Sequence, residues 1–365
     1  LLEGPSQPHN KAHRNHTHRA LINEIETTKT TEEKIPVKLV GFDVDHTFAP
    51  LYSYTSPTGV WAVTKFAKKY GIDTDWLLAR AKEVEPEYIC HDIDPFMRQL
   101  VVKAKEGGLD PAIADKLEPS REENKEIMDD WYAMRKCLAR QALFRDVIPT
   151  LKKIKEEGGL AYLVTIAPKA SILHRLYLWG GEEITDLIDG IAVRTDMPDQ
   201  PSENPRASEG EKAFVKKIEE QGKIIVVPED MQKPSPYHFY FVLDHANTNL
   251  RELGEEEIMP HECLMHGDSL GSDAGTAAGM KDLVGIPVHF AWRTSVVEDE
   301  ELLTAHNKIG HTKDILGAEV VYNKITSCDY HRPTVAVEEL SQILDHFKIK
   351  PACKVIPFPN RPVYS

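Results

Sequence analysis

From Asp146 onward the chain alternates short, nearly continuous apolar runs with amphipathic stretches, and few folds accept that pattern. VIPTLKKIKEEGG reads as a helix, GLAYLVTIA as a strand and PKASILHRLYLWGG as the next helix. LIDGIAVR, GKIIVVP, HECLMHG, GIPVHFAW and AEVVYN read as further strands. SPYHFYFVLDHANTNLREL, the segment opening at SDAGTAAGM and the closing VAVEELSQILDHF read as helices. Strands this uniformly apolar are covered on both faces. Alternation of strand and helix calls for parallel pairing through right-handed crossovers, and so for an α/β fold, a three-layer αβα sandwich.

One strand lies upstream of this region: VKLVGF, residues 37–42. The stretch between it and Asp146 reads from residue 58 to about 144 as almost wholly helical. TGVWAVTKFAKKYG stops at Gly71, DTDWLLARAKEV opens on capping residues, DIDPFMRQLVVKAKEGG has an early proline, and REENKEIMDDWYAMRKCLARQALF is long and amphipathic. Residues 51–144 are therefore expected to form a helical subdomain inserted into a core made of 35–50 and 145–365. That core is expected to hold a parallel, Rossmann-like sheet. MPDQPSENPRASEGE reads as a surface loop.

Residues 1–34 are polar, with His9, His13, His16 and His18 close together. A metal-binding tract and an unstructured tail are both open readings, and the absence of nearby apolar residues favours the tail. The first methionine is Met97, so residue 1 is not expected to be a native start. Asn15-His16-Thr17 matches a glycosylation sequon, which is expected to be idle because no secretory leader is visible. Five scattered cysteines without a CxxC pair suit a reduced, cytoplasmic protein. A formal net charge of −14 argues against a nucleic-acid partner, and no apolar run is long enough to cross a membrane. An acidic chain can still take a phosphorylated substrate, because a bound divalent cation reverses the local field.

The chemistry-bearing residues sit at strand ends, where open parallel sheets bind ligands. Asp43, Asp45 and Thr47 follow VKLVGF, and Thr165 follows LAYLV. Asp268 follows ECLMHG, with Asp273 a few residues on, and Lys233 opens KPSP before the helix preceding that strand. An aspartate in an apolar strand is costly unless paired or bound to a cation. In extended backbone, residues i and i+2 share a face, so Asp43 and Asp45 are aimed at one site. Singly, each has a structural explanation: a turn, a helix cap or an exposed lysine. Jointly, in order, they suit one phosphate and one cation.

DVDHT, the strand ending in Thr165, KPSP and GDSLGSD resemble the four motifs of the haloacid dehalogenase-like (HAD) hydrolase superfamily, and the likeness spans residues 37 to about 345. The helical insertion is similar to that family's type-1 cap, at roughly ninety residues a large one. The resemblance implies a phosphatase acting through an aspartyl-phosphate on Asp43, with Asp45 as general acid/base. Lys233 would offset the charge on nucleophile and phosphate, and Thr165 would donate to the phosphoryl oxygens. Asp43, the backbone carbonyl of Asp45 and Asp268 would bind Mg²⁺, with Asp273 a further ligand or a water-holding acid. His46, Thr47, Arg98 and Ala167 are candidate substrate contacts. The family usually has glycine where this chain has His46, which affects the loop's backbone. His91 is another possible contact from the cap. His266 reads as strand packing, and Trp131 and Tyr132 read as cap core.

Asp45 favours phosphoester chemistry, since members that attack carbon need no acid two residues past the nucleophile. A small soluble phosphorylated metabolite is the expected partner, because a lid excludes bulky chains. A sugar phosphomutase of the same family and a non-catalytic regulatory protein with this fold remain open alternatives.

Overall fold

The computed structural model describes residues 33–85, 93–195, 207–269, 272–293 and 334–353. The strands among them are β1 (Ile35–Val37), β2 (Leu39–Phe42), β3 (Leu160–Pro168), β4 (Gly190–Arg194), β5 (Ile224–Val227), β6 (Cys263–Gly267), β7 (His289–Arg293), β8 (Val335–Val337) and β9 (Phe347–Ile349). The longer helices are α1 (Tyr52–Tyr70), α2 (Thr74–Val84), α3 (Ile93–Glu106), α4 (Lys125–Ala142), α5 (Val147–Glu156), α6 (Lys169–Trp179), α7 (Glu209–Glu220), α8 (Tyr237–Glu252) and α9 (Asp273–Val284).

Seven strands form one parallel sheet in the order β5-β4-β3-β2-β6-β7-β8, and β1 pairs with β9 in a separate parallel ladder. The period of two along β2 divides its side chains between two cores. Val40 and Phe42 pack with Leu151 and Ile154 of α5, Ile172 and Leu176 of α6, and Phe214 and Ile218 of α7. Leu39 packs on the opposite face with Phe239 and Val242 of α8 and with Ala277 and Met280 of α9. Helices on both faces of a parallel sheet make this the expected three-layer α/β architecture. At Gly41 a Cβ would lie 2.7 Å from the Phe239 ring, so glycine there lets α8 lie directly on the central strand.

Helices α1 to α4 fall between β2 and β3 and enclose a core of their own, with Phe66, Leu77, Met97, Leu100 and Trp131 buried together. They lean on the rest of the chain through α6. Tyr54, Ala139 and Leu178 pack as one cluster, and the Trp179 indole N–H donates to the Ala139 carbonyl at 2.9 Å. Among the described residues no helix is long and apolar enough to cross a membrane.

Three expectations need correction. VKLVGF is not one strand: the backbone bends at Lys38, and the residues before it turn to β9. Lys38 stays hydrogen-bonded to both neighbouring segments, its N–H on the Glu262 carbonyl at 2.7 Å and its carbonyl accepting from Leu160 at 2.8 Å. Helix α1 begins at Tyr52, six residues earlier than residue 58, and carries Pro57 inside it. VAVEELSQILDHF is not one helix. Val335 and Val337 extend the sheet beside β7, a short turn of helix follows at Ile343–His346, and Phe347 enters β9. β-Branched residues with an open strand edge to pair with prefer the sheet. AEVVYN, His91, most of the acidic loop and residues 1–32 lie outside the described residues.

Candidate active site

The order of the sheet places the site before any side chain is considered. From β2 the chain proceeds outward through β3, β4 and β5, then returns to β6 on the other side of β2. Neighbouring connections there leave in opposite directions, which opens a crevice at the carboxyl ends of the strands. Asp43 and Asp268 directly follow β2 and β6, and Thr165 lies toward the carboxyl end of β3, the three strands that flank it.

Asp43 continues the ladder past β2, its N–H donating to the His266 carbonyl at 2.8 Å. Val44 is fully buried, whereas the carboxylates of Asp43 and Asp45 lie close enough to repel one another. The loop then turns tightly, with the His46 N–H on the Ala49 carbonyl at 2.8 Å and the Phe48 N–H on the Val44 carbonyl at 2.8 Å. His46 takes φ 60° to do so, the left-handed region in which glycine has no steric penalty. The backbone turn of a glycine-type loop is kept at this position with an imidazole on it.

Lys233 is the hub of the cluster. Its ammonium is 2% exposed, pairs with Asp43 Oδ1, and donates to Asp273 Oδ1 at 2.7 Å. Burial works against that charge, but Asp273 and then Asp43 more than offset it and push the ammonium pKa up. Asp43 is pushed up to about 7, first by burial, with Asp273 and Asp45 adding to the shift and Lys233 opposing it. The Asp268 carboxyl is raised in the same way, by burial and then by Asp43 and Asp273.

One carboxylate oxygen each from Asp43, Asp268 and Asp273 lies within 4.8 Å of the others. An octahedral Mg²⁺ with bonds of about 2.1 Å sets ligand oxygens about 3 to 4 Å apart, so a small contraction would close these three around it. When ionised, three carboxylates against one ammonium leave negative charge for a cation to offset. The donor set is all oxygen, as a hard divalent cation requires. Gly267 makes the arrangement possible, because a Cβ there would sit 2.2 Å from Asp273 Oδ2. That same oxygen accepts the Ser269 N–H at 3.1 Å, and the Asp268 carbonyl accepts the Trp292 indole N–H at 2.9 Å.

The other sequence-derived candidates are placed as follows. The Asp45 carboxylate is not in the three-acid cluster; its Oδ1 pairs with Arg175. Thr165 is fully buried inside β3 rather than after a strand, and its Oγ1 accepts the Ala167 N–H at 3.1 Å. Ala167 itself packs into the core. Thr47 is fully buried, and its carbonyl accepts from Arg293 at 2.5 Å. Arg98 lies on the exposed face of α3. His266 is buried, bonds the Ala291 carbonyl through Nδ1 at 2.9 Å, and is held neutral by burial, its pKa down to about 4.

Three supporting residues were not among the sequence-derived candidates. His238 Nδ1 accepts the Lys233 backbone N–H at 3.1 Å, and burial followed by the lysine's charge drives its pKa down to about 3. Arg293 is buried over the Phe144 ring, 4.2 Å from its centroid, and holds the Thr47 loop. Arg175 is buried on α6. A signal for Arg175 was present: SILHRLYLW is apolar almost all round, so a cation inside it required an acidic partner.

No family model matches this chain, and no curated protein matches it. Solved structures do. A HAD phosphatase from Thermococcus onnurineus aligns with a TM-score of 0.42 at 18% identity, covering 86% of this chain and 100% of its own. A HAD-superfamily hydrolase of subfamily IA from Geobacter sulfurreducens aligns at 0.37 and 13% identity, covering 87% and 98%. A 2-haloacid dehalogenase from Pseudomonas syringae aligns at 0.35 and 15%, covering 85% and 97%. The functional reading rests on the site itself.

Proposed function

We propose that this chain is a HAD-like hydrolase, a Mg²⁺-dependent phosphatase of small phosphomonoesters. The observation that carries the reading is the meeting of Asp43, Lys233, Asp268 and Asp273 at the sheet's crevice, beside Asp45, from positions up to 230 residues apart.

Asp43 attacks phosphorus as the bond to the leaving oxygen breaks, and Asp45 gives that oxygen a proton. Asp45, now a carboxylate, takes a proton from water as the water oxygen attacks the phosphorus of the aspartyl-phosphate. The bond between phosphorus and the Asp43 oxygen then breaks, which frees inorganic phosphate and restores the nucleophile. Lys233 offsets charge on Asp43 and on the transferring group, and Thr165 holds phosphoryl oxygens through its hydroxyl and backbone N–H. Asp43, Asp268 and Asp273, with the Asp45 backbone carbonyl, would hold Mg²⁺, which supplies Lewis-acid stabilisation of the phosphoryl charge when bound. Helices α1 to α4 act as a cap over the crevice and restrict the substrate to small molecules.

The test is phosphate release from 4-nitrophenyl phosphate by the full chain, with and without Mg²⁺. Turnover that needs the cation and is lost in Asp43→Asn is expected. Absence of turnover across a panel of phosphorylated metabolites, or full activity in Asp43→Asn, would overturn the reading. Isomerised sugar phosphate without free phosphate would make the enzyme a mutase instead.

A further inference from the structure

Each acid of the DVD pair has its own cation, and the second cation has no part in the chemistry described so far. The Arg175 side chain is 6% exposed and its NH1 donates to Asp45 Oδ1, whereas the Asp45 side chain is 27% exposed. The arginine thus approaches Asp45 from the protein interior. Its guanidinium carbon lies 5.7 Å from the centre of the Trp179 ring on the same helix, and the Tyr54 hydroxyl from α1 faces it. Asp45 overcomes the effect of burial and keeps the guanidinium charged. Trp179 is in turn tied to Ala139 of α4. Arg175 therefore sits in the seam where α6 meets the helical insertion, backed by Trp179 of α6 and Tyr54 of α1.

A buried guanidinium costs several kcal/mol to desolvate, and a hydrophobic residue would pack this seam at less cost. A planar, always-charged fork fixes the orientation of a carboxylate, which a flexible ammonium does less well. We propose that Arg175 is a positioning residue for Asp45, holding its carboxyl group toward the leaving oxygen of the phosphoester. This rests on the phosphatase reading above, in which Asp45 exchanges the proton. In this role Arg175 acts through Asp45, with which its NH1 pairs. Tyr54 and Ala139 of the insertion pack against α6 at this seam, so the alignment of the acid depends on the seating of the insertion.

The experiment uses the full chain and a series of ring-substituted phenyl phosphates with Mg²⁺. A good leaving group such as 4-nitrophenolate departs without a proton, and phenolate benefits from one. In Arg175→Met, kcat/KM on phenyl phosphate is expected to fall about 100-fold, at the low end of what a general acid contributes, with a loss of about threefold on 4-nitrophenyl phosphate. Arg175→Lys is expected to recover part of the loss. Asp45→Asn should show the same leaving-group dependence, and Arg175→Met should add no further loss in that background.

Equal losses on all leaving groups, or full additivity with Asp45→Asn, would assign Arg175 to packing alone and overturn the proposal. If Arg175→Met does not fold, Arg175→Lys alone and combined with Asp45→Asn provides the same comparison. Failure of the underlying reading is a separate result: the unmodified chain would show no Mg²⁺-dependent turnover, or Asp45→Asn would show no leaving-group dependence.

Discussion

Replacing Lys233 by Met removes the ammonium and keeps most of the volume of the stem, so the change isolates the charge. The group is 2% exposed and makes two ion pairs, with Asp43 and Asp273. Breaking a buried pair from one side costs about 3–5 kcal/mol, because the remaining charge loses its compensation. The loss must depend on pH. Burial raises the Asp43 pKa from 3.8 to about 7 in the folded chain. A carboxyl raised in this way contributes stability that is fully present below its unfolded value and is lost as pH rises through about 7.

Removing Lys233 pushes Asp43 higher still, since the lysine is what opposes the shift. At pH 8 the variant should therefore bear the full penalty. At pH 5.5 Asp43 is protonated in both folded proteins, and the difference should shrink by up to about 1.4 kcal/mol, the equivalent of the one pKa unit between about 7 and pH 8. Mg²⁺ at pH 8 should narrow the gap as well, because it brings positive charge to the same oxygens. Urea unfolding of both proteins at the two pH values, with and without Mg²⁺, measures all of this. A loss that is identical at pH 5.5 and pH 8 and indifferent to Mg²⁺ would refute the electrostatic account of the cluster.

Two further outcomes follow from the same geometry. Gly267→Ala puts a methyl group where Asp273 Oδ2 now lies and should weaken Mg²⁺ binding by about 10–100-fold, as displaced outer ligands do; unchanged affinity by calorimetry would show that Asp273 has no share in the site. Because protons and the cation compete for Asp43 and Asp268, Mg²⁺ affinity should rise at least about tenfold per pH unit up to about pH 7; a flat profile between pH 5 and 7 would contradict the raised Asp43 pKa.

Much of this arrangement was legible in the sequence because two periodicities stay separate in it. Apolar runs such as LVGF and CLMHG could pair only as covered strands, and the acids stood at their ends. The closing VAVEELSQILDHF was harder, since EELSQILD carries helical spacing and only the open edge of β7 draws Val335–Val337 into the sheet. Arg175 and His238 were missed because their roles depend on which helix faces reach Asp45 and Lys233, a matter of tertiary packing. His46 showed in the sequence as a departure from glycine, but whether the loop would change was decided by its φ of 60°.

The small β1–β9 ladder has a reach beyond its size. Its register joins Ile35 to Phe347 and Val37 to Ile349, and the Lys350 N–H adds a bond of 2.8 Å to the Val37 carbonyl. Only Lys38 separates this ladder from the strand that delivers Asp43. A proteolytic cut just before Phe347 would thus untether the lead-in to the nucleophile from a point three hundred residues away in the chain. The far end of the core is in this sense a guy-rope for its reactive centre.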